Sequence, residues 1–205
     1  YLAFDEMAFS FLRFEKMKLI YGVGFNDGRF PTKINGKTVK EYHLWESMIN
    51  RCYNQKTHVK NPTYTNCLVS DNFLNYSYFY DWAQKQIGFN VHGWQLDKDI
   101  ILKGNKLYNE NFCAFVPKEI NSFFTDRKSD RGDFPIGVCF DSDTMKYMAR
   151  CCVNGKRKTI GRFDSPEIAF AAYKNVKEKT CKDLAEKWKH LVDPRVFTSM
   201  IGWTV

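Results

Sequence analysis

The side chains best suited to chemistry lie near the C-terminal end of the chain. Arg150 and Arg157 are cationic, with Lys146 and Lys158 beside them and Thr159 and Cys152 between them. They fall on two runs that read as strands, 146–153 and 157–160, separated by Asn154-Gly155. Asn-Gly between two strand-like runs is a strong signal for a tight hairpin. In the first run Tyr147, Ala149, Cys151 and Val153 alternate with Lys146, Met148, Arg150 and Cys152. One set suits a core; the other is half basic. In the second run Lys158 and Ile160 alternate with Arg157 and Thr159. Ile160 belongs inside, so Arg157 and Thr159 should share an outer face with Arg150 and Cys152 if the hairpin is in register. The chemistry of such a face is hydrogen bonding to a polyanion. A small sheet fits the major groove of a duplex, where arginine reads guanine and hydroxyls read less selectively.

Further elements must position that face. Gly137-Val138 opens an earlier strand, closed by the turn residues Asp141-Ser142-Asp143. Ser165 caps a helix with Pro166 in its first turn, and Ile168, Ala169, Ala172, Tyr173 and Val176 form its apolar stripe. A helix on one side leaves the other side of a three-stranded sheet bare. Upstream, Tyr42, Trp45, Met48, Ile49, Cys52 and Tyr53 predict a helix over 41–54. Residues 55–66 read as a loop, and 72–86 as a second, largely buried helix capped by Ser70 or Asp71. Residues 95–101 and 113–116 read as strands around a turn at 103–106, and Pro117 starts a short helix through Asn121 to Phe124.

The whole chain sets the limits. Its 205 residues carry 31 Lys and Arg against 23 Asp and Glu, a net charge of +8 that favours DNA, RNA or an anionic surface. No run approaches the ~20 apolar residues that span a bilayer. The first 20 residues lack the order of a secretion signal, and read as an extension, either a short amphipathic helix or a segment before a start at Met17. Seven cysteines without a CxxC pair suggest a reducing, cytoplasmic setting, with Cys52, His58 and Cys67 the one set that could converge on zinc. The charged stretch 125–134 reads as a linker between two domains.

The residues Gly137-Val138, Tyr147-x-Ala149, Ile160-Gly161-x-Phe163, Ser165-x-Glu167-x-Ala169 and Ala172-Tyr173 are similar to the Apetala-type (ethylene-response-factor-like) DNA-binding domain. The resemblance covers 135–192. It implies a three-stranded antiparallel sheet packed on one helix, with double-stranded DNA as partner. Its DNA-facing positions fall on Cys139, Asp141, Arg150, Cys152, Arg157 and Thr159. Cys139, Asp141 and Thr159 depart from the usual basic or aromatic types, which points to attachment to the DNA backbone.

Leu96-Asp97-Lys98-Asp99-Ile100, Gly104-Asn105-x-x-Tyr108, Cys113-x-Phe115-Val116-Pro117 and Ile120-Asn121 resemble the strand–loop–strand–helix unit of phage HNH homing endonucleases. Trp45-x-x-Met48-x-x-Arg51-Cys52-Tyr53 belongs to the same phage pattern, so the resemblance spans 21–124. It implies catalytic positions at Asp97, Lys98 and Asn121, with Asp97 and Asn121 holding one Mg²⁺. Lys98 stands where the general-base histidine belongs, and an ordinary lysine stays protonated. His43, His58 and His92 are the alternative bases. The expectation is an α+β chain: a helical domain with a degenerate HNH-like unit, the Apetala-type domain, then a tail over 193–205. Its function would be that of a phage-encoded DNA endonuclease, or of an inactive binder of DNA or of a host protein that regulates or blocks a host defence.

Overall fold

The computed structural model describes residues 18–125, 133–153 and 155–205. The chain is mixed α+β. Helix α1 (Lys40–Tyr53) buries Trp45, Met48, Ile49 and Cys52, the 3.6-residue stripe visible in sequence. The Trp45 indole N–H donates to the Phe73 carbonyl, 2.8 Å. The stretch expected as a loop holds α2 (Gln55–Lys60), where the Asn54 side chain accepts from the Lys56 N–H, and a 3-10 turn at Pro62–Tyr64. The second long helix is two pieces, α3 (Asp71–Leu74) and α4 (Tyr76–Gln84). Asn75 causes the break, because its side chain accepts from the Ser77 N–H at 2.8 Å and restarts the helix. Phe25 takes up the freed backbone groups: its N–H donates to Leu74 and its carbonyl accepts from Tyr76. These elements enclose one aromatic core around Trp45, Phe73, Tyr76, Phe79 and Phe115.

A two-residue hairpin, β1 (Lys33–Ile34) and β2 (Lys37–Thr38), precedes α1. Strand β3 (Leu68–Val69) pairs in parallel with β5 (Leu107–Tyr108). Between them runs β4 (Trp94–Asp97), antiparallel to β6 (Ala114–Pro117), with Gln95 opposite Val116 and Asp97 opposite Ala114. Helix α5 (Lys118–Phe124) follows, with Pro117 as its cap rather than its first helical residue. A strand–loop–strand–helix unit is therefore present.

The C-terminal sheet has the order β7–β8–β9, all antiparallel. Its strands are β7 (Val138–Asp141), β8 (Lys146–Val153) and β9 (Lys156–Phe163). Asn154 of the expected turn and 126–132 of the expected linker lie outside the described residues. Helix α6 (Pro166–Trp188) is capped by Ser165, which accepts from the Ile168 N–H. Gly137 sets how closely α6 approaches. Its φ is +80°, and a Cβ there would come within 2.1 Å of the Tyr173 ring.

Helix α6 is about 34 Å long at 1.5 Å per residue. Its first half packs Ala169 and Tyr173 on Ala149 and Cys151 of the sheet. Its second half packs Cys181, Leu184 and Ala185 on Ala114, Val116 and Ile120 of the β4–β6–α5 unit. Residues expected as a tail hold α7 (Pro194–Ile201), whose Val196 and Met200 complete that cluster. Polar ties reinforce it. Glu119 of α5 accepts from the Lys187 ammonium (2.6 Å) and the Trp188 indole (3.0 Å), and Arg195 donates to the Asn111 carbonyl at 2.9 Å. No helix among the described residues is long and apolar enough to cross a membrane.

Candidate nucleic-acid interface and the strand–loop–strand–helix unit

Residues facing each other across an antiparallel ladder share a face. Arg150 stands opposite Thr159, and Cys152 opposite Arg157, so these four lie together on the side of the sheet away from α6. Lys146, opposite Asp141, joins them, and its ammonium is 3.2 Å from the exposed Asp164 carboxylate. Lys158 does not join them. It stands opposite buried Cys151, on the helix-bearing side. Cys151 and Cys152 point to opposite faces, one buried and one exposed.

The ladder slips by one residue between Ala149 and Arg150. Ile160 is the extra residue, and this bulge reverses which residues of β9 face out. Gly161 and Phe163 turn toward α6, while Arg162, opposite Met148, turns outward. Unbroken alternation from Thr159 would put Arg162 inside. Ile160 and Phe163, both apolar and three apart, carried the signal, since an unbroken strand cannot bury both on one face.

The outer face has a soft floor and a cationic surface. Met148 is 5% exposed. Its sulfur receives the Arg150 Nε–H at 3.3 Å and the Thr159 hydroxyl at 3.8 Å. Cys139 lies in the same cross-strand row. The rings Phe140 and Phe163 both stand opposite Tyr147, on the other side. Arg150 and Arg157 have no acidic partner among the described residues, whereas the Arg162 Nε–H donates to Asp141 at 2.7 Å.

In the β4–β6–α5 unit the three residues expected to be catalytic are each engaged by the fold. Asp97 ends β4, and one of its carboxylate oxygens accepts the N–H groups of Asp99 and Ile100, both at 2.7 Å. Burial pushes the Asp97 carboxyl above its ordinary range, against the pull of those two bonds. Lys98, the first residue after β4, is only 6% exposed. Its ammonium donates to the Asp99 carboxylate and to the Asn105 carbonyl, the latter at 2.8 Å, and lies 5.8 Å from the Tyr108 ring. The Asn121 amide nitrogen donates to Gln95 at 2.6 Å.

Mg²⁺ takes about six oxygens in a near-octahedral shell. Asp97 spends one carboxylate oxygen on backbone donors and Asn121 donates its amide nitrogen to Gln95, which leaves one oxygen on each side chain, two of the roughly six such a shell takes. No group of three or more His, Cys, Asp or Glu side chains among the described residues is placed to hold a metal. His58, the one histidine in the expected zinc set, bonds the Arg51 carbonyl at 2.9 Å. Burial raises the Cys52 thiol to about 12 and pushes the Cys113 thiol upward. Both behave as small apolar side chains.

No family model, curated protein or solved structure matches this chain.

Proposed function

We propose that this chain is a double-stranded DNA-binding protein that meets the duplex with the outer face of the β7–β8–β9 sheet. One observation carries the reading: Arg150 and Arg157, neither with an acidic partner among the described residues, share that face, with no aromatic ring beside them. Single-stranded nucleic acid is held largely by bases stacked on exposed rings. Here Tyr147 and Phe163 pack in the cluster beneath α6 and Phe140 stands on that same side of the sheet, which leaves the outer face to cations suited to phosphates. The resemblance to the Apetala-type domain supports the same placement.

In this reading the β4–β6–α5 unit is a scaffold. It gives the second half of α6 and all of α7 a surface to pack on, and so fixes the sheet to the rest of the chain. A second reading, the HNH-like endonuclease, is favoured by the order of strands and helix in that unit, while one Asp97 oxygen, the Lys98 ammonium and the Asn121 amide nitrogen are engaged within the fold. A role at a host protein would use the same scaffold with a different occupant of the sheet.

Fluorescence anisotropy with labelled mixed-sequence duplex and single strand tests the proposal. The duplex should bind more tightly, and Arg150→Ala with Arg157→Ala should weaken it. Equal binding of single strand, or an unaffected double variant, would overturn it. A plasmid-nicking assay with Mg²⁺, with EDTA as control, separates the two readings. Nicking abolished by Asp97→Ala would establish the nuclease.

A further inference from the structure

Arg162 and Asp141 sit on the two outer strands of the sheet, β9 and β7, with β8 between them. Neighbouring strands lie about 4.8 Å apart. For the Arg162 Nε–H to reach the Asp141 carboxylate at 2.7 Å, the arginine side chain must cross the central strand. Its cross-strand neighbour there is Met148, whose burial on an otherwise open face fits a side chain lying over it. Asp141 is itself fixed. Its other oxygen accepts the Asp143 N–H at 3.3 Å, and its side chain is only 11% exposed. Arg162 is 48% exposed, and its two terminal NH₂ groups have no partner among the described residues.

We infer that Arg162 reads a guanine in the major groove and that Asp141 is the positioning residue that aims it. This rests on the placement of duplex DNA on this face. Guanine presents two acceptors, N7 and O6, on its major-groove edge, and arginine meets both through two N–H donors. A free arginine must lose rotamer freedom to do so. Pinning Nε to a carboxylate removes that cost and leaves one edge of the planar fork, its terminal NH₂ groups, facing outward. Arg150 and Arg157 are tied to no carboxylate among the described residues and suit phosphates, so the face divides into two cations that hold and one that reads. Asp141, an acid on a surface for a polyanion, then has a reason to be there.

The test uses the full chain and a duplex library with a randomised central stretch. Bound duplexes are sequenced, and affinities are measured for the selected duplex and for versions with each G·C pair replaced by A·T. Wild type should show a G·C preference that Arg162→Lys and Asp141→Asn each reduce about tenfold at the same position. Asp141→Asn should leave the salt dependence of binding within about one phosphate equivalent of wild type. Both residues lie on the sheet surface, and the melting temperature reports that each variant is folded. A base preference unchanged in both variants, or a wild type without one, overturns the inference while DNA binding stands. A wild type that binds no duplex, or binds regardless of Arg150 and Arg157, overturns the placement of DNA and this inference with it.

Discussion

Lys98 separates a working site from a structural one, and replacing it with Met isolates its charge. Methionine keeps the apolar stem of the lysine and removes the ammonium. That ammonium closes the loop between β4 and β5. It donates to the Asn105 carbonyl, while the Asn105 side chain donates back to the carbonyls of Lys98 (2.8 Å) and Leu107 (2.7 Å). Asp99 is 51% exposed, so water replaces the lost partner there at small cost. The Asn105 carbonyl loses a charged donor, worth about 1.5–3 kcal/mol. Relief of the buried charge offsets part of that. The expected net loss is about 2 kcal/mol, which lowers the melting temperature of a chain this long by roughly 4–8 °C. Far-UV circular dichroism on heating measures it, and anisotropy with the mixed duplex should show unchanged affinity at 20 °C, where the variant remains folded. If Lys98→Met melts with wild type while a Mg²⁺-dependent nicking activity disappears, Lys98 is a catalytic group and the scaffold argument fails.

Three further outcomes follow from the geometry. Gly137→Ala combines a left-handed backbone with a Cβ 2.1 Å from the Tyr173 ring, so α6 must lift from the sheet. A loss of about 2 kcal/mol or more in urea unfolding is expected, and a neutral result would mean α6 packs on the sheet less closely. Arg150→Ala with Arg157→Ala removes two phosphate contacts, which lowers the slope of log affinity against log salt by about 1.8. From about 50 to about 200 mM salt the variant should then lose about 12-fold less affinity than wild type; equal slopes would count against phosphate contact by these residues. The hydrogen bond from Lys187 holds the Glu119 carboxyl below its ordinary value of 4.5, with burial opposing. A depressed folded value means that the unfolded chain takes up the proton first, so this tie stabilises above pH 4.5 and is lost as pH falls through the folded value. The melting difference between wild type and Glu119→Gln should be largest near neutral pH and shrink below 4.5; a difference independent of pH would remove the tie from the α5–α6 contact.

Helix α1 was legible because its signal is local. Trp45, Met48, Ile49 and Cys52 repeat at helical spacing, and all four are buried. The break between α3 and α4 was not. It depends on Phe25, fifty residues upstream, supplying backbone partners on either side of Asn75. The span of α6 was half legible. Ala169 and Tyr173 mark the end that meets the sheet, but the partners of Cys181 and Leu184 are residues of β6, α5 and α7, whose nearness no periodicity reports. For the same reason the charged stretch after Phe124 reads as a boundary, although the helix beyond it packs on both sides.

The candidate sites follow the same division. The resemblance to the HNH unit brought Asp97, Lys98 and Asn121 forward, by their places in the strand–loop–strand–helix order. Their partners in the fold give each of them a structural part as well. An aspartate accepting two backbone N–H groups is closing a turn, and a lysine buried against a carbonyl is closing a loop. On the sheet the error ran the other way. Asp141 argued against base reading when taken alone, since a carboxylate repels phosphate. Its partner sits two strands away and faces out only because of the bulge at Ile160, so neither composition nor alternation could join them. An acidic residue on a DNA-facing sheet is costly if it meets the backbone and useful if it holds an arginine. Ladder register decides between these, and here it places Arg162 within reach of Asp141.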